Sequence, residues 1–330
     1  MFSLATVATV FLCVCVGSVN LPLNETLRVI WNAIWGLPQP ESMSVPIILS
    51  VRLPRVLCVA LSGAALSICG GAMQGLLKNP LADGSTLGVS SGASLGAVIA
   101  IAFGITLPNV PFAGTVVMAM AFAFLSLLII LSLAYKIDYS LSTNTIILIG
   151  VIYSMFVSSI LSLIITFASD HVKNITFWTM GSLLGASYQN ALLLLVALTI
   201  CGAVILRHTR ELNAFAISED NARHIGVPVR RVKLVLLIAV SALIGVCVSI
   251  GGTIGFVGLV TPHMVRMIVG PNHQRLLPAS LFGGAIFLML ADLVARILLN
   301  PVELPIGVVT SFIGAILFVV IFYRSRRVRT

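Results

Sequence analysis

The chain has 330 residues, of which 59% are hydrophobic and 9% charged, and its mean hydropathy is +1.13. A soluble domain carries about 25% charged residues, so a soluble globular chain is excluded. Long unbroken apolar runs also exclude a transmembrane β-barrel, whose strands alternate over short segments. The net charge of +9 does not point to nucleic acid. The basic residues lie in short segments between apolar runs without interleaved aromatics, as in the cytoplasmic loops of polytopic membrane proteins.

The first run, 2–19, lacks the basic start of a cleaved signal peptide and is expected to be retained as a span. A spanning helix needs about 20 apolar residues. By that measure further spans are expected at 54–77, 86–104, 111–135, 143–168, 188–206, 230–250, 256–269, 275–298 and 305–323. The eighth is the least regular: it is short, follows "SIGGTIG" and contains Pro262. Charge parity supports it. Arg207, Arg210, Arg223, Arg230, Arg231 and Lys233 precede or open the seventh span, and Arg324, Arg326, Arg327 and Arg329 form the tail. The positive-inside rule puts both groups in the cytoplasm, so an even number of crossings must separate them. Spans seven to ten supply that only if the eighth crosses, as a short helix beside irregular backbone that lines a cavity.

The expected fold is therefore an all-α polytopic membrane protein of about ten transmembrane helices. It forms one transmembrane domain over 1–330, with both termini cytoplasmic and the main cytoplasmic segment at about 207–229. Of the 19 basic residues, this leaves Arg28, Arg52, Arg55, Lys173 and Arg296 outside, against the rule. A short outer-face helix is expected within "ITFWTMGSLLGAS".

Local motifs read mostly as structure. Gly88, Gly92 and Gly96 recur at four-residue spacing, as do Gly71 with Gly75 and Gly251 with Gly255. Small residues at that spacing let helices in lipid approach closely. "KNPLADGSTLG" carries turn residues between spans two and three. In "AISEDNARHIGVP", Ser218 suits an N-cap, Glu219 and Asp220 the first turn, and Arg223 and His224 the last; Gly226 suits the position after the helix. Standing alone in its loop, such a helix either lies on the membrane or docks on a partner. Asp292 and Arg296 share a helix face and read as an ion pair. His263 reads as a hydrogen-bonded structural group. The six cysteines lie in apolar runs without metal-ligand spacing, so no metal site is expected. There is no GxxxxGK[ST], HExxH or GxSxG pattern, so neither nucleotide binding nor hydrolysis is expected of this chain. Only Asp292 lies deep enough in a span to couple an ion, which disfavours an ion-coupled secondary transporter.

Four stretches, "RLPRVLCVALSGAALSICGGAMQGLLKNPLADGSTLGVSSGASLGA", "GTIGFVGLVTPHMVRMIVG", "RLLPASLFGGAIFLMLADLVAR" and "ELPIGVVTSFIGAILFVVI", resemble the FecCD-type permeases. These are BtuC-like membrane subunits of type II ABC importers for iron–siderophores, haem and cobalamin. The resemblance covers most of the chain from about residue 50 to 323. It implies a ten-span permease in the cytoplasmic membrane that pairs with a second copy, identical or paralogous. Two separate ATPase subunits would use ATP and Mg, and an extracytoplasmic binding protein would deliver the ligand. No cofactor is expected on this chain. An iron–siderophore is the expected cargo, with haem or cobalamin as alternatives. The resemblance also implies residue roles. Arg52, Arg55 and Arg296 would dock the binding protein. Asn79 and Leu81, with Ser142 and Thr143, would form the cytoplasmic gates. Ser218, Glu219, Asp220, Ala222, Arg223 and Gly226 would form the helix coupled to the ATPase; many members have Gly where this chain has Ser218.

Overall fold

The computed structural model describes residues 2–19, 21–105, 113–139 and 141–327. The first two residues of the expected fourth span, 111 and 112, and Arg329 of the tail lie outside them. The described residues form helices and connecting turns, with no strand. In chain order the helices are α1 (Phe2–Cys15), α2 (Leu23–Trp35), α3 (Ser44–Leu76), α4 (Val89–Ala102), α5 (Ala113–Ile137), α6 (Thr143–Phe167) and α7 (Val172–Thr179). They continue with α8 (Tyr188–Arg207), α9 (Thr209–Ile217), α10 (Glu219–His224), α11 (Val229–Gly251), α12 (Val257–Val269), α13 (His273–Ile297) and α14 (Ile306–Arg327). Each of the ten expected spans coincides with one helix. Six are long and apolar enough to cross a bilayer unaided: α3, α5, α6, α8, α11 and α13. The apolar stretches of α1, α4, α12 and α14 are shorter. The expected outer-face helix is α7, and α2 and α9 are additional short helices.

The fold is built around α3, whose most apolar window is 78% buried. Two glycine crossings explain how neighbours come so near. A Cβ on Gly63 would lie 2.3 Å from the Gly284 carbonyl oxygen of α13, and one on Gly70 would lie 1.9 Å from the Gly258 oxygen of α12. Neither distance tolerates a side chain. In lipid, where no hydrophobic force pulls helices together, such contacts supply packing energy. Gly92 and Gly96 do the same between α4 and α5, against Ser126 and Met118. Gly88 departs from the expected helical stripe. It caps α4 in a left-handed conformation, φ +76°, and lies against Gly150 and Tyr153 of α6.

The irregular stretch before α12 is half-buried, with Thr253, Ile254, Gly255 and Phe256 lining a cavity, and non-helical backbone survives at membrane depth where it lines such a space. Ser182 N donates to the Gly251 carbonyl at 2.8 Å, and Thr253 Oγ1 donates to the Thr179 carbonyl. Pro262 inside α12 cannot donate to the carbonyl four residues back. That carbonyl, of Gly258, accepts instead from Gln74 Nε2 on α3 at 3.3 Å, and Gln74 Oε1 accepts from Arg266 at 3.1 Å. His263 is not hydrogen-bonded as expected: its Nδ1 is buried without a partner.

The helices leave two ends. One gathers the turn after α3, α9, α10 and the start of α13, where Asn213 Oδ1 accepts from His273 N at 2.8 Å. The other gathers the C-terminus of α1, the start of α3 and the end of α13.

Candidate functional site

At the second end, Arg52, Arg55 and Arg296 converge as the sequence suggests, but inward. Their exposures are 5%, 7% and 2%, so the expected outward-facing docking surface is corrected. Arg55 pairs with Asp292 at 2.9 Å and with Glu303 at 2.6 Å. Arg296 pairs with Asp292 at 2.9 Å, confirming the expected pair one turn apart. The remaining guanidinium hydrogens go to the open end of α1. Arg296 donates to the carbonyls of Cys13 and Val16 at 3.2 and 3.3 Å, and Arg52 to those of Val14 and Cys15 at 3.0 and 3.1 Å and to that of Val19. A helix C-terminus carries unpaired carbonyls and partial negative charge. Two arginines therefore cap α1, which explains why it stops at Cys15 rather than near 19. Gly17 leaves room: a Cβ there would meet the Arg52 guanidinium at 3.0 Å. Asp292, held between two guanidiniums, is not placed as an ion-coupling carboxylate.

Between the two ends lies a cavity of about 520 Å³. Its polar wall comes from Ser90, Ser91 and Ser94 of α4, Ser154 and Ser158 of α6, and Thr253. Its apolar wall includes Leu66, Ile254, Phe256 and Leu259, and Leu81 and Asp83 lie at its rim. Phe256 takes a left-handed conformation, φ +67°, against Gly314 of α14. The cavity lies beside α6, which carries exposed Leu148, Ile152, Met155 and Phe156. Hydroxyls hydrogen-bond in either direction without charge, so such a wall wets a neutral or weakly charged guest without fixing it. Among the described residues no group of three or more His, Cys, Asp or Glu could hold a metal ion.

At the first end the expected gate residues divide. Asn79 closes an Asx turn, its Oδ1 accepting from Leu81 N at 2.9 Å, and leaves Leu81 52% exposed at the cavity rim. Ser142 holds the N-cap position of α6 without a side-chain bond to the helix backbone: its hydroxyl lies 2.8 Å from Thr145 Oγ1, and its N–H donates to Asp138 at 3.0 Å. Thr143 donates instead to Glu219 of α10 at 3.4 Å.

The capping expected for α10 is present. Ser218 Oγ accepts from Asn221 N at 2.9 Å, and Gly226 follows at φ +85°. The helix does not stand alone, because it packs on α9 and α11. That corrects the role of Ala222, which is fully buried and cannot touch a partner. Glu219 also faces inward, to Lys233 at 2.7 Å. Asp220, Asn221, Arg223, His224 and Ile225 form the exposed face. Beside it, a surface cleft of about 530 Å³ is lined by Arg223, Arg230, Arg231 and Tyr139. Arg230 lies 3.8 Å over the Tyr139 ring, and its guanidinium holds the Tyr139 phenol below the usual tyrosine pKa.

The FecCD transport family matches residues 5–324. The chain belongs to that family. It is 42% identical over 313 residues to an uncharacterized ABC transporter permease, YvrB of Bacillus subtilis, covering 94% of this chain and 89% of YvrB. It is 38% identical over 290 residues to the cobalamin import permease BtuC of Halobacterium salinarum, covering 88% and 76% of the two chains. To the hemin transport permease HmuU of Yersinia pestis it is 35% identical over 325 residues, covering 95% and 93%. A solved metal-chelate type ABC transporter in an inward-facing conformation superposes with a TM-score of 0.86 at 32% identity, covering 98% and 97%. The chain is thus a multi-pass permease subunit of an ABC importer of the metal-chelate type, a class that works with ATPase and binding-protein partners.

Sequence reading missed Glu303, the capping of α1 and the α10–Lys233 contact. Glu303 precedes "LPIG" in a loop and carries no motif. The cap could have been inferred from the charge rule itself, since outward arginines beside a short first span need a partner.

Proposed function

We propose that this permease carries a whole metal chelate bearing amide or hydroxyl groups, an iron–siderophore, along the hydroxyl-lined cavity between α4, α6, α11 and α12. The carrying observation is that wall: five serines and a threonine facing Leu66, Ile254 and Phe256. It suits a guest with both polar periphery and apolar bulk. A cobalamin has the same character, and the cobalamin permeases at 38% and 37% identity favour it as a second reading. A haem, flat and largely apolar, gains less from six hydroxyls.

A second copy of this permease, identical or paralogous, would complete the pathway along the exposed apolar face of α6. The basic end would face the cytoplasm, with both termini there. The exposed face of α10 and the Arg223–Arg231 cleft would receive acidic groups of an ATPase subunit, which binds ATP and Mg and hydrolyses the nucleotide. Leu81 and the Ser142–Thr143 turn would close the cytoplasmic side of the pathway. With its guanidiniums held inside, the arginine cluster supports binding-protein docking indirectly, by fixing the ends of α1, α3 and α13.

The test is uptake into proteoliposomes containing the whole importer, its binding protein and internal ATP, with ferric siderophores, cobalamin and haem offered in parallel. ATP-dependent siderophore uptake is expected. Uptake of cobalamin or haem alone would overturn the substrate, and uptake without ATP would overturn the class.

A further inference from the structure

Lys233 is fully buried, five residues into α11, yet its ammonium is not in an apolar site. Its Nζ lies 2.7 Å from Glu219 Oε1 of α10 and donates to the Leu141 carbonyl at 3.0 Å. Leu141 belongs to the turn that starts α6. It is itself fully buried and takes a left-handed conformation, φ +53°, which costs a non-glycine residue energy and persists only when its surroundings hold it. From the other side, Thr143 Oγ1 donates to the same Glu219 carboxylate at 3.4 Å. Asp138 accepts from Ser142 N at 3.0 Å and Thr145 Oγ1 at 3.3 Å, making the turn a compact unit. One buried cation thus joins three elements that no other described ion pair connects: α10, the α5–α6 turn and α11.

We propose that Lys233 is the positioning residue that makes α10 and the start of α6 move together, so that displacement of α10 by the ATPase is delivered to the cytoplasmic end of the pathway. This rests on reading α10 as the ATPase-docking helix. The physical reason is the cost of an unpaired buried charge. If α10 moved alone, Lys233 would lose its carboxylate. If the turn moved alone, Lys233 would lose the Leu141 carbonyl, and Thr143 would lose Glu219. Moving the two together keeps every partner. A lysine fits this role because its three donors surround a compact charge on a flexible stem, which follows small shifts that a rigid guanidinium fork would not. The division of α10 agrees: Glu219 and Ala222 face inward, and Asp220, Asn221, Arg223 and His224 face out.

The experiment uses the complete reconstituted importer with its binding protein, and measures chelate transported per ATP hydrolysed. Lys233→Met and the neutral pair Glu219→Gln/Lys233→Met are compared with the native chain. The double variant leaves no lone buried charge, so it keeps the test valid if the single variant folds poorly. In both, ATP hydrolysis and co-purification of the ATPase are expected to persist, while transport per ATP falls about tenfold. Spin labels at exposed Ile225, just after α10, and Asn144 supply a readout that a purely structural role would leave alone. Their distance distribution should stay narrow with and without nucleotide in the native background and broaden in the double variant. A double variant with native transport per ATP and a narrow distribution would overturn the role of Lys233. Arg223→Glu tests the docking reading separately: if the ATPase still co-purifies and is fully active, α10 is not its docking helix, whatever Lys233 does.

Discussion

Arg55 on α3 and Asp292 on α13 meet at 2.9 Å, although 237 residues separate them in sequence. Both are buried, and Arg296 shares the same carboxylate. Asp292 is therefore shared by two guanidiniums where the chain can least tolerate unpaired charge, and Glu303 adds a second counter-charge on Arg55 alone.

Asp292→Asn should leave Arg55 and Arg296 without their common counter-charge. Removing one partner of a buried pair costs about 3–5 kcal/mol. A large fall in melting temperature in detergent, with less folded protein, is expected. Glu303→Gln should cost much less, because Glu303 remains 18% exposed at its side chain. Equal melting for Asp292→Asn and the native chain would show that the cluster contributes nothing to the fold.

Arg52→Lys should loosen α1. One ammonium cannot reach the three carbonyls that the guanidinium spans, those of Val14, Cys15 and Val19. Faster maleimide labelling of Cys15 is the expected readout. Binding-protein-stimulated ATP hydrolysis, expressed per folded transporter, should fall in step with the gain in labelling, because docking is supported through the end of α1. A selective loss of stimulation with unchanged labelling would restore a direct docking role.

Gly284→Leu should prevent assembly of the α3–α13 crossing, because even a Cβ would lie 2.2 Å from the Gly63 oxygen. Little monodisperse protein is expected in size-exclusion chromatography. Gly226→Ala provides the contrast. Its Cβ meets nothing within 4 Å, and only φ +85° opposes it, a backbone cost of about 1–2 kcal/mol. That variant should purify normally.

Ser218→Ala removes the N-cap of α10 and should cost about 1 kcal/mol. The effect should be local: faster hydrogen exchange at Asn221, whose N–H the hydroxyl accepts, with unchanged exchange in α11. Uniform destabilisation would argue against an independently capped helix.

Ser94→Leu and Ser154→Leu each place apolar bulk in the 520 Å³ cavity. Transport should fall at least tenfold while ATP hydrolysis and yield persist. Ser154→Thr, which keeps the hydroxyl, should retain more transport than the leucine variant. Equal transport by all three would remove the cavity from the pathway.

The spans were legible because lipid imposes one rule on every crossing segment: about 20 apolar residues, interrupted by polar turns. Even the short α12 followed, since charge parity left it no other place. The cap of α10 was legible for a similar reason, because Ser218, Glu219 and Gly226 act within a few residues of one another. The direction of the three arginines at the span ends was not. Arg52, Arg55 and Arg296 stand at span ends in the sequence, and a span end can face solvent or the bundle equally well. Their partners decide which: the α1 carbonyls, Asp292 and Glu303 reach them only once α1, α3 and α13 are packed. Lys233 was open to the same ambiguity, reading as one more cytoplasmic charge until α10 and the Leu141 turn closed around it. Composition and local spacing determined where the apolar helices lie, apart from the end of α1, which arginines from α3 and α13 set. Tertiary packing alone decided which charges are spent inside the protein, because a charge is stable wherever its partner is, and the sequence does not say where that will be.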